Sequence, residues 1–179
     1  MNLFHFSDDR AIARFEPRPV LTPSERSPGR EWLNGPLVWA IEDQRQAMYL
    51  FPRDCPRILL WPTGATTAED KARFWGDADW RMIAYVEAAW LDLIAGAALF
   101  RYDMPPRTFE SLDDAGMWVS RAPVTPLGME VIADLPAALQ RQRVALRSVS
   151  TLAPLADVWS TTLHASGVRL RNARDWPRL

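Results

Sequence analysis

Short apolar runs, separated by proline, glycine and charged residues, dominate the hydrophobic pattern of this chain. Such runs predict strands, whereas helical spacing after acidic or capping residues predicts helices. A first short strand is predicted at 2–7. The other predicted strands are LVWAI (37–41), RILLW (57–61), ALFRYDM (98–104), MWVS (117–120), GMEVIA (128–133) and VALRSVS (144–150). The predicted helices are DRAIARF (9–15), EDQRQAMYLF (42–51), TTAEDKARFW (66–75), the region 80–95, DLPAALQRQ (134–142) and LAPLADVWSTTLHA (152–165). Because these elements do not alternate regularly, they predict an α+β fold with a mixed or antiparallel sheet and surrounding helices.

The first predicted strand carries one of the two histidines of the chain. Its alternation places Phe4 and Phe6 on one face and Leu3, His5 and Ser7 on the other. Because we expect the two phenylalanines to face the core, His5 and Ser7 are predicted to face a cleft. The alternative is that His5 is a half-buried strand residue that hydrogen-bonds a carbonyl group.

A long loop follows at 16–36, where five prolines and two glycines exclude a helix or an interior strand. Loops of this length in compact domains commonly build or cover a site. We therefore predict that the loop folds over the sheet face that carries His5, with Arg18 available to a ligand. The alternative is an extended surface connector.

Length, charge and cysteine content narrow the class of protein. A chain of 179 residues predicts one compact domain. The net charge of -1 gives no reason to expect nucleic acid as a partner. The longest apolar stretch, AAWLDLIAGAALF (88–100), contains Asp92 and falls short of the roughly 20 residues of a membrane span. With a single cysteine and no signal-like N-terminus, we expect a cytoplasmic location, and two histidines argue against a structural zinc site.

Two arginine-bearing segments are candidates for anion binding. In FPRDCPR (51–57), Arg53 and Arg57 bracket Cys55 in a loop stiffened by proline, and two guanidinium groups at fixed separation suit a phosphate or carboxylate. The alternative is that these arginines pair with Asp54 or other neighbours. We predict that Cys55 is a packed thiol rather than a nucleophile. The basic tail at 169–179 is either a solvated segment or a contact for RNA or a protein partner.

The order of the first elements resembles the ADP-ribosyltransferase fold: a strand with His5, a variable loop, the strand LVWAI, and a helix with Tyr49. That resemblance implies that His5 orients a nicotinamide ribose and that Tyr49 stacks on the nicotinamide, so NAD or ADP-ribose is the implied ligand. MWVSRAPVTPLGMEVI is similar to the late strand of that superfamily, where a glutamate polarises the ribose. This chain has Gly116 and Met117 at the matching place. The candidate carboxylates to substitute for that glutamate are Glu110, Asp114 and Glu130.

Three functions follow from these patterns. The first is the binding of NAD, ADP-ribose or another phosphate-bearing nucleotide, with contacts from His5, Ser7, Arg18, Tyr49, Arg53 and Arg57. The second is an ADP-ribosyl or phosphate transferase, which needs a carboxylate in the same cleft. The third is a non-enzymatic interaction domain with an exposed apolar patch. The chain also resembles an uncharacterised bacterial family whose members open with LFHFSDD and carry FPRDCPR.

Overall fold

The computed structural model describes residues 1–76 and 79–177. The chain divides into two compact units, each built from two stretches of sequence. Unit 1 comprises Met1–Gln46 and Leu99–Ile132, and unit 2 comprises Ala47–Ala98 and Ala133–Leu179. Helices and strands are mixed in the manner predicted, so the α+β class is confirmed. Within the described part of the chain, no helix has the length and apolar character that a membrane crossing requires.

In the described part of the chain, ten strands form two sheets, one in each unit. In chain order the strands are β1 (Leu3–Ser7), β2 (Val38–Glu42), β3 (Arg57–Trp61), β4 (Met82–Glu87), β5 (Leu99–Met104), β6 (Glu110–Ser111), β7 (Met117–Ser120), β8 (Gly128–Ile132), β9 (Val144–Val149) and β10 (His164–Val168). The sheet of unit 1 has the order β6-β7-β2-β1-β5-β8, and all of its neighbouring strands are antiparallel. The sheet of unit 2 has the order β10-β3-β4-β9, in which only β4 and β9 run parallel.

The helices are short. The α-helices are α1 (Ala68–Asp70), α2 (Leu91–Gly96) and α3 (Leu135–Arg141). Turns of 3-10 helix are Glu31–Asn34, Asp43–Tyr49, Ala88–Trp90, Pro106–Thr108, Ala153–Ser160 and Leu170–Asn172, and Lys71–Trp75 is a π-helical turn. Asp134 caps α3 because its carboxylate accepts a hydrogen bond from the backbone N–H of Ala137 at 2.8 Å.

In unit 1, both faces of β1 are packed. Leu3 belongs to a core cluster with Tyr102, and Phe15 lies over that cluster from the segment that follows β1. Ser7 on the same face is 4 % exposed, and Phe4 on the opposite face is 6 % exposed. The expectation that the face of Leu3, His5 and Ser7 lies open is therefore wrong, because Phe15 closes it.

The region 80–95 differs most from its prediction. Its first half is β4, hydrogen-bonded between β3 and β9, and α2 begins only at Leu91. A strand that is buried on both faces has a continuous apolar run, and such a run cannot be separated from a buried helix by periodicity. The predicted helix at 80–95 is thus wrong in its first half.

Three other predicted helices are also corrected. Residues 9–15 form no helix, because the Asp9 carboxylate accepts from the N–H of Ala11 in a turn instead. The helix predicted at 66–75 begins only at Ala68, because Thr67 caps it through a hydroxyl that accepts from the N–H of Asp70. The segment predicted as a helix at 152–165 contains a 3-10 helix at Ala153–Ser160, and β10 begins at His164.

Candidate functional site

The six predicted ligand-binding residues divide between the two units. His5, Ser7 and Arg18 belong to unit 1, whereas Tyr49, Arg53 and Arg57 belong to unit 2.

His5 is a half-buried residue of β1 with partners on two sides. Its Nδ1 lies 2.8 Å from the carbonyl oxygen of Trp39 on the neighbouring strand β2. The imidazole ring lies 4.6 Å from the ring of Phe15, centroid to centroid, with the two planes tilted by 53°. The imidazole ring is thus oriented by two partners within the protein, a strand carbonyl and a phenylalanine.

The other two predicted residues of unit 1 have different surroundings. Ser7 is buried, and its hydroxyl oxygen accepts from the backbone N–H of Asp9 at 3.1 Å. Arg18 is exposed, and its backbone forms a bridge with Leu37 at the start of β2. These contacts do not bring the side chains of Ser7 and Arg18 together.

The long loop at 16–36 does not cover His5 in the predicted way. Its buried residue, Leu33, packs with Val119 and Trp39. Strand register places Trp39 beside Phe6, on the face opposite His5. The segment that does lie against His5 contains Phe15 and precedes the loop. The prediction that the loop closes over the His5 face is therefore wrong.

An open groove of about 400 Å³ lies on unit 1 next to Tyr102. It is lined by Tyr102 together with 10–13 and 126–129, and its charged lining residue is Arg10. The tyrosine hydroxyl donates to the carbonyl of Asp9 at 2.7 Å and accepts from the N–H of Ile12 at 3.2 Å. His5 is not among the residues that line this groove.

In unit 2, Arg57 is a buried cation at the start of β3, 2 % exposed. Its Nε donates to the carbonyl of Met48 and one terminal nitrogen donates to the carbonyl of Cys55, both at 2.8 Å. The guanidinium also lies 4.9 Å from the ring centre of Phe51 and 5.8 Å from that of Tyr49. Among the described residues, Arg57 takes part in no ion pair with a carboxylate.

The electrostatics of this cluster follow from burial and from a second arginine. Burial lowers the pKa of Arg57 to about 10, and the positive charge of Arg169 acts in the same direction. Burial raises the pKa of Tyr49, although the charges of Arg57 and Arg169 oppose that shift. At neutral pH the cluster therefore combines two guanidinium cations with a neutral phenol. We call Tyr49, Arg57 and Arg169 the arginine cluster.

The loop that contains Arg53 supports Arg169. The Arg169 Nε donates to the Arg53 carbonyl at 3.3 Å, and the amide of Asn172 donates to the Asp54 carbonyl at 2.8 Å. Arg169 itself has a φ of +57°, a left-handed conformation that is uncommon for a residue with a side chain. Sequence reasoning assigned Arg169 to the basic tail, because nothing in the pattern shows that the tail returns to FPRDCPR.

Cys55 and Gly116 bear on the catalytic hypotheses. Burial raises the pKa of Cys55 to about 11, with the carboxylate of Glu87 adding to the shift and Arg57 opposing it. The thiol is thus neutral at neutral pH, which disfavours a nucleophile.

Gly116 has a φ of +72°, and a Cβ there would lie 2.6 Å from Cγ of Glu42. A side chain at Gly116 would collide with Glu42, so a glutamate does not fit in this position.

The arrangement defines an α+β protein whose second unit holds a buried arginine in its sheet, and this arginine forms no ion pair with a carboxylate among the described residues. The chain belongs to DUF6886, a family of unknown function, whose model matches residues 4–173. No curated protein and no solved structure matches the chain.

Proposed function

We propose that this protein binds a small anionic ligand through its phosphate group, at the arginine cluster of unit 2. The observation that carries the proposal is the buried guanidinium of Arg57, which has carbonyl and aromatic partners but no carboxylate among the described residues. A buried cation without a counter-ion is costly, and an arriving anion offsets that cost.

The second guanidinium strengthens the argument. Arg169 and Arg57 repel one another, since each disfavours a further positive charge nearby. An anion that lies near both removes this repulsion and gains charge-assisted hydrogen bonds from the planar donors. Arg169 is half-buried, whereas Arg57 is buried and supplies charge from within the fold. Arg53 is exposed in the loop whose carbonyl accepts from Arg169, and it extends the basic surface.

A nucleotide is the specific ligand that the sequence resemblance favours, because Tyr49 supplies an aromatic ring beside the arginines. NAD and ADP-ribose are therefore the first ligands to test. The role of His5 in nucleotide binding is a separate proposal that rests on the resemblance, and the roles of Ser7 and Arg18 rest on their predicted place beside His5.

The test is isothermal titration calorimetry with pyrophosphate, ADP-ribose and NAD, and with adenosine as the uncharged comparison. We expect the three phosphate-bearing ligands to bind and adenosine to bind far more weakly. Arg169→Gln should weaken binding by roughly tenfold or more, which corresponds to about 1.4 kcal/mol.

The matched control is Arg171→Gln, because Arg171 is exposed two positions away and the substitution changes the net charge equally. It should leave affinity nearly unchanged. Equal losses in the two variants would mean that the anions respond to general surface charge, and the proposal would fail. It would also fail if none of the phosphate-bearing ligands bound to the unmodified protein.

A further inference from the structure

We propose that two copies of this chain associate through the free edge of β8, so that the sheet of unit 1 continues into the same sheet of the second copy. β8 ends the strand order of that sheet, and β5 is its strand neighbour among the described residues. The first four residues of β8 are exposed. The outer backbone groups of this strand therefore lie open to another strand.

The sequence of β8 lacks two of the usual protections of an edge. Exposed edge strands commonly carry lysine or proline, which disfavour pairing with a second chain. The five residues of β8, GMEVI, include neither of these. An unprotected edge of this kind is a ready template for strand addition.

Exposed apolar side chains follow the same edge. Leu127 is 74 % exposed, Met129 is 41 % exposed and Val131 is 53 % exposed. Met129 and Val131 oppose Tyr102 and Phe100 on β5, so they lie on the core-bearing face of the sheet. This row of apolar side chains extends the core-bearing face onto the last strand, where the side chains are exposed to solvent.

The strand is complementary to a second copy of itself. A two-fold axis joins identical patches, and antiparallel pairing keeps each face of the sheet on one side. When Met129 faces Met129 of the second copy, Val131 faces Leu127, and Glu130 faces Gly128. Apolar side chains then meet apolar side chains throughout the row.

The charged side chains on the other face of the sheet also bear on this register. Glu130 is paired with Arg101 at 2.5 Å within its own sheet, so its carboxylate is balanced before the strands meet. Facing it, Gly128 has no side chain, and the Asp103 carboxylate of its own sheet lies 3.6 Å from the position that a Cβ would take there. Like charges are not placed directly opposite one another, an arrangement that would be destabilising. This self-complementarity favours a second copy over an unrelated peptide as the occupant.

Because one short strand pair covers less than a standard interface of roughly 800 Å² per partner, we expect a reversible, concentration-dependent dimer.

Sedimentation velocity of the full chain over a wide range of concentrations tests the proposal. The unmodified protein should shift from monomer to dimer as concentration rises. Met129→Lys should weaken the dimer by roughly tenfold or more, or about 1.4 kcal/mol, because the two-fold axis brings two ammonium groups together. The control is Leu93→Lys, at a leucine of α2 that is 55 % exposed, and it should dimerise as the unmodified protein does.

A charge-swap experiment then tests the register. Met129→Lys and Met129→Glu alone should each dimerise more weakly by roughly tenfold or more, because each places like charges across the axis. An equimolar mixture should form a heterodimer, which also shows that both variants are folded. A monomeric unmodified protein at every concentration would overturn the proposal, as would a mixture that stays monomeric or a Leu93→Lys variant that loses the dimer equally.

Discussion

Replacing Tyr102 with phenylalanine removes a single oxygen atom from a site that joins two parts of unit 1. Tyr102 is 2 % exposed on β5, and its ring packs edge-on against Phe15 at 5.2 Å. Its hydroxyl donates to the Asp9 carbonyl and accepts from the Ile12 N–H. Because the ring fits the same space after Tyr102→Phe, the substitution tests these two hydrogen bonds and little else.

The expected magnitude follows from the two contacts. A neutral intramolecular hydrogen bond contributes about 0.5 to 1.5 kcal/mol net, so two contribute about 1 to 3 kcal/mol. Asp9 is exposed and Ile12 is half-buried, so water can replace part of the loss. We therefore expect Tyr102→Phe to lower the free energy of unfolding by about 1 to 2 kcal/mol. The loss should be concentrated in 9–15, which has no helix to hold it.

Urea denaturation measures the loss, and hydrogen exchange at the Ile12 amide locates it. The control is Tyr85→Phe on β4, where the hydroxyl accepts from a terminal nitrogen of Arg147 at 2.9 Å. That guanidinium can turn toward water, so we expect the control to cost less than about 0.5 kcal/mol. The reasoning is refuted if Tyr102→Phe leaves both the stability and the exchange rate of Ile12 unchanged.

Two further predictions concern His5 and Cys55. His5→Ala should destabilise unit 1 by about 1 to 2 kcal/mol, since it removes the hydrogen bond to Trp39 and the packing on Phe15; urea denaturation checks this, and a stability-neutral variant with weaker ADP-ribose binding would instead support a ligand role. Native Cys55 should resist iodoacetamide at neutral pH and react only as its pKa of about 11 is approached. Because an unfolded thiol ionises near pH 9, the raised pKa predicts that stability falls as pH rises from about 9 to 11, and Cys55→Ala should flatten that decline in urea titrations.

Strands were predictable from this sequence where one side of the strand differs from the other or where turns bound it closely. LVWAI and RILLW both fall on strands, since proline or charged residues limit each run. β4 was not predictable, because its apolar residues are continuous and merge with those of α2. β10 was missed because HASGV contains few residues that favour strands, and its pairing with β3 supplies what local preference does not.

The faces of β1 show a different limit. Alternation correctly separates Phe4 from His5, but it cannot show which face the chain later covers. Phe15 closes the His5 face from a segment whose path depends on Tyr102, far away in sequence. The sequence therefore predicted the division of side chains and not their burial.

The arginine cluster is a consequence of tertiary structure in the same sense. FPRDCPR places Asp54 between two arginines, and that spacing alone favours pairing within the segment. The fold instead directs the Arg57 donors to the carbonyls of Met48 and Cys55 and brings Arg169 back from the tail. Since hydrogen bonds to neutral carbonyls do not compensate a charge, the arginine cluster carries an excess of positive charge that no local pattern reveals. That excess is the physical reason to expect an anion there, and it makes Arg169, rather than any residue chosen by motif, the side chain whose removal is most informative.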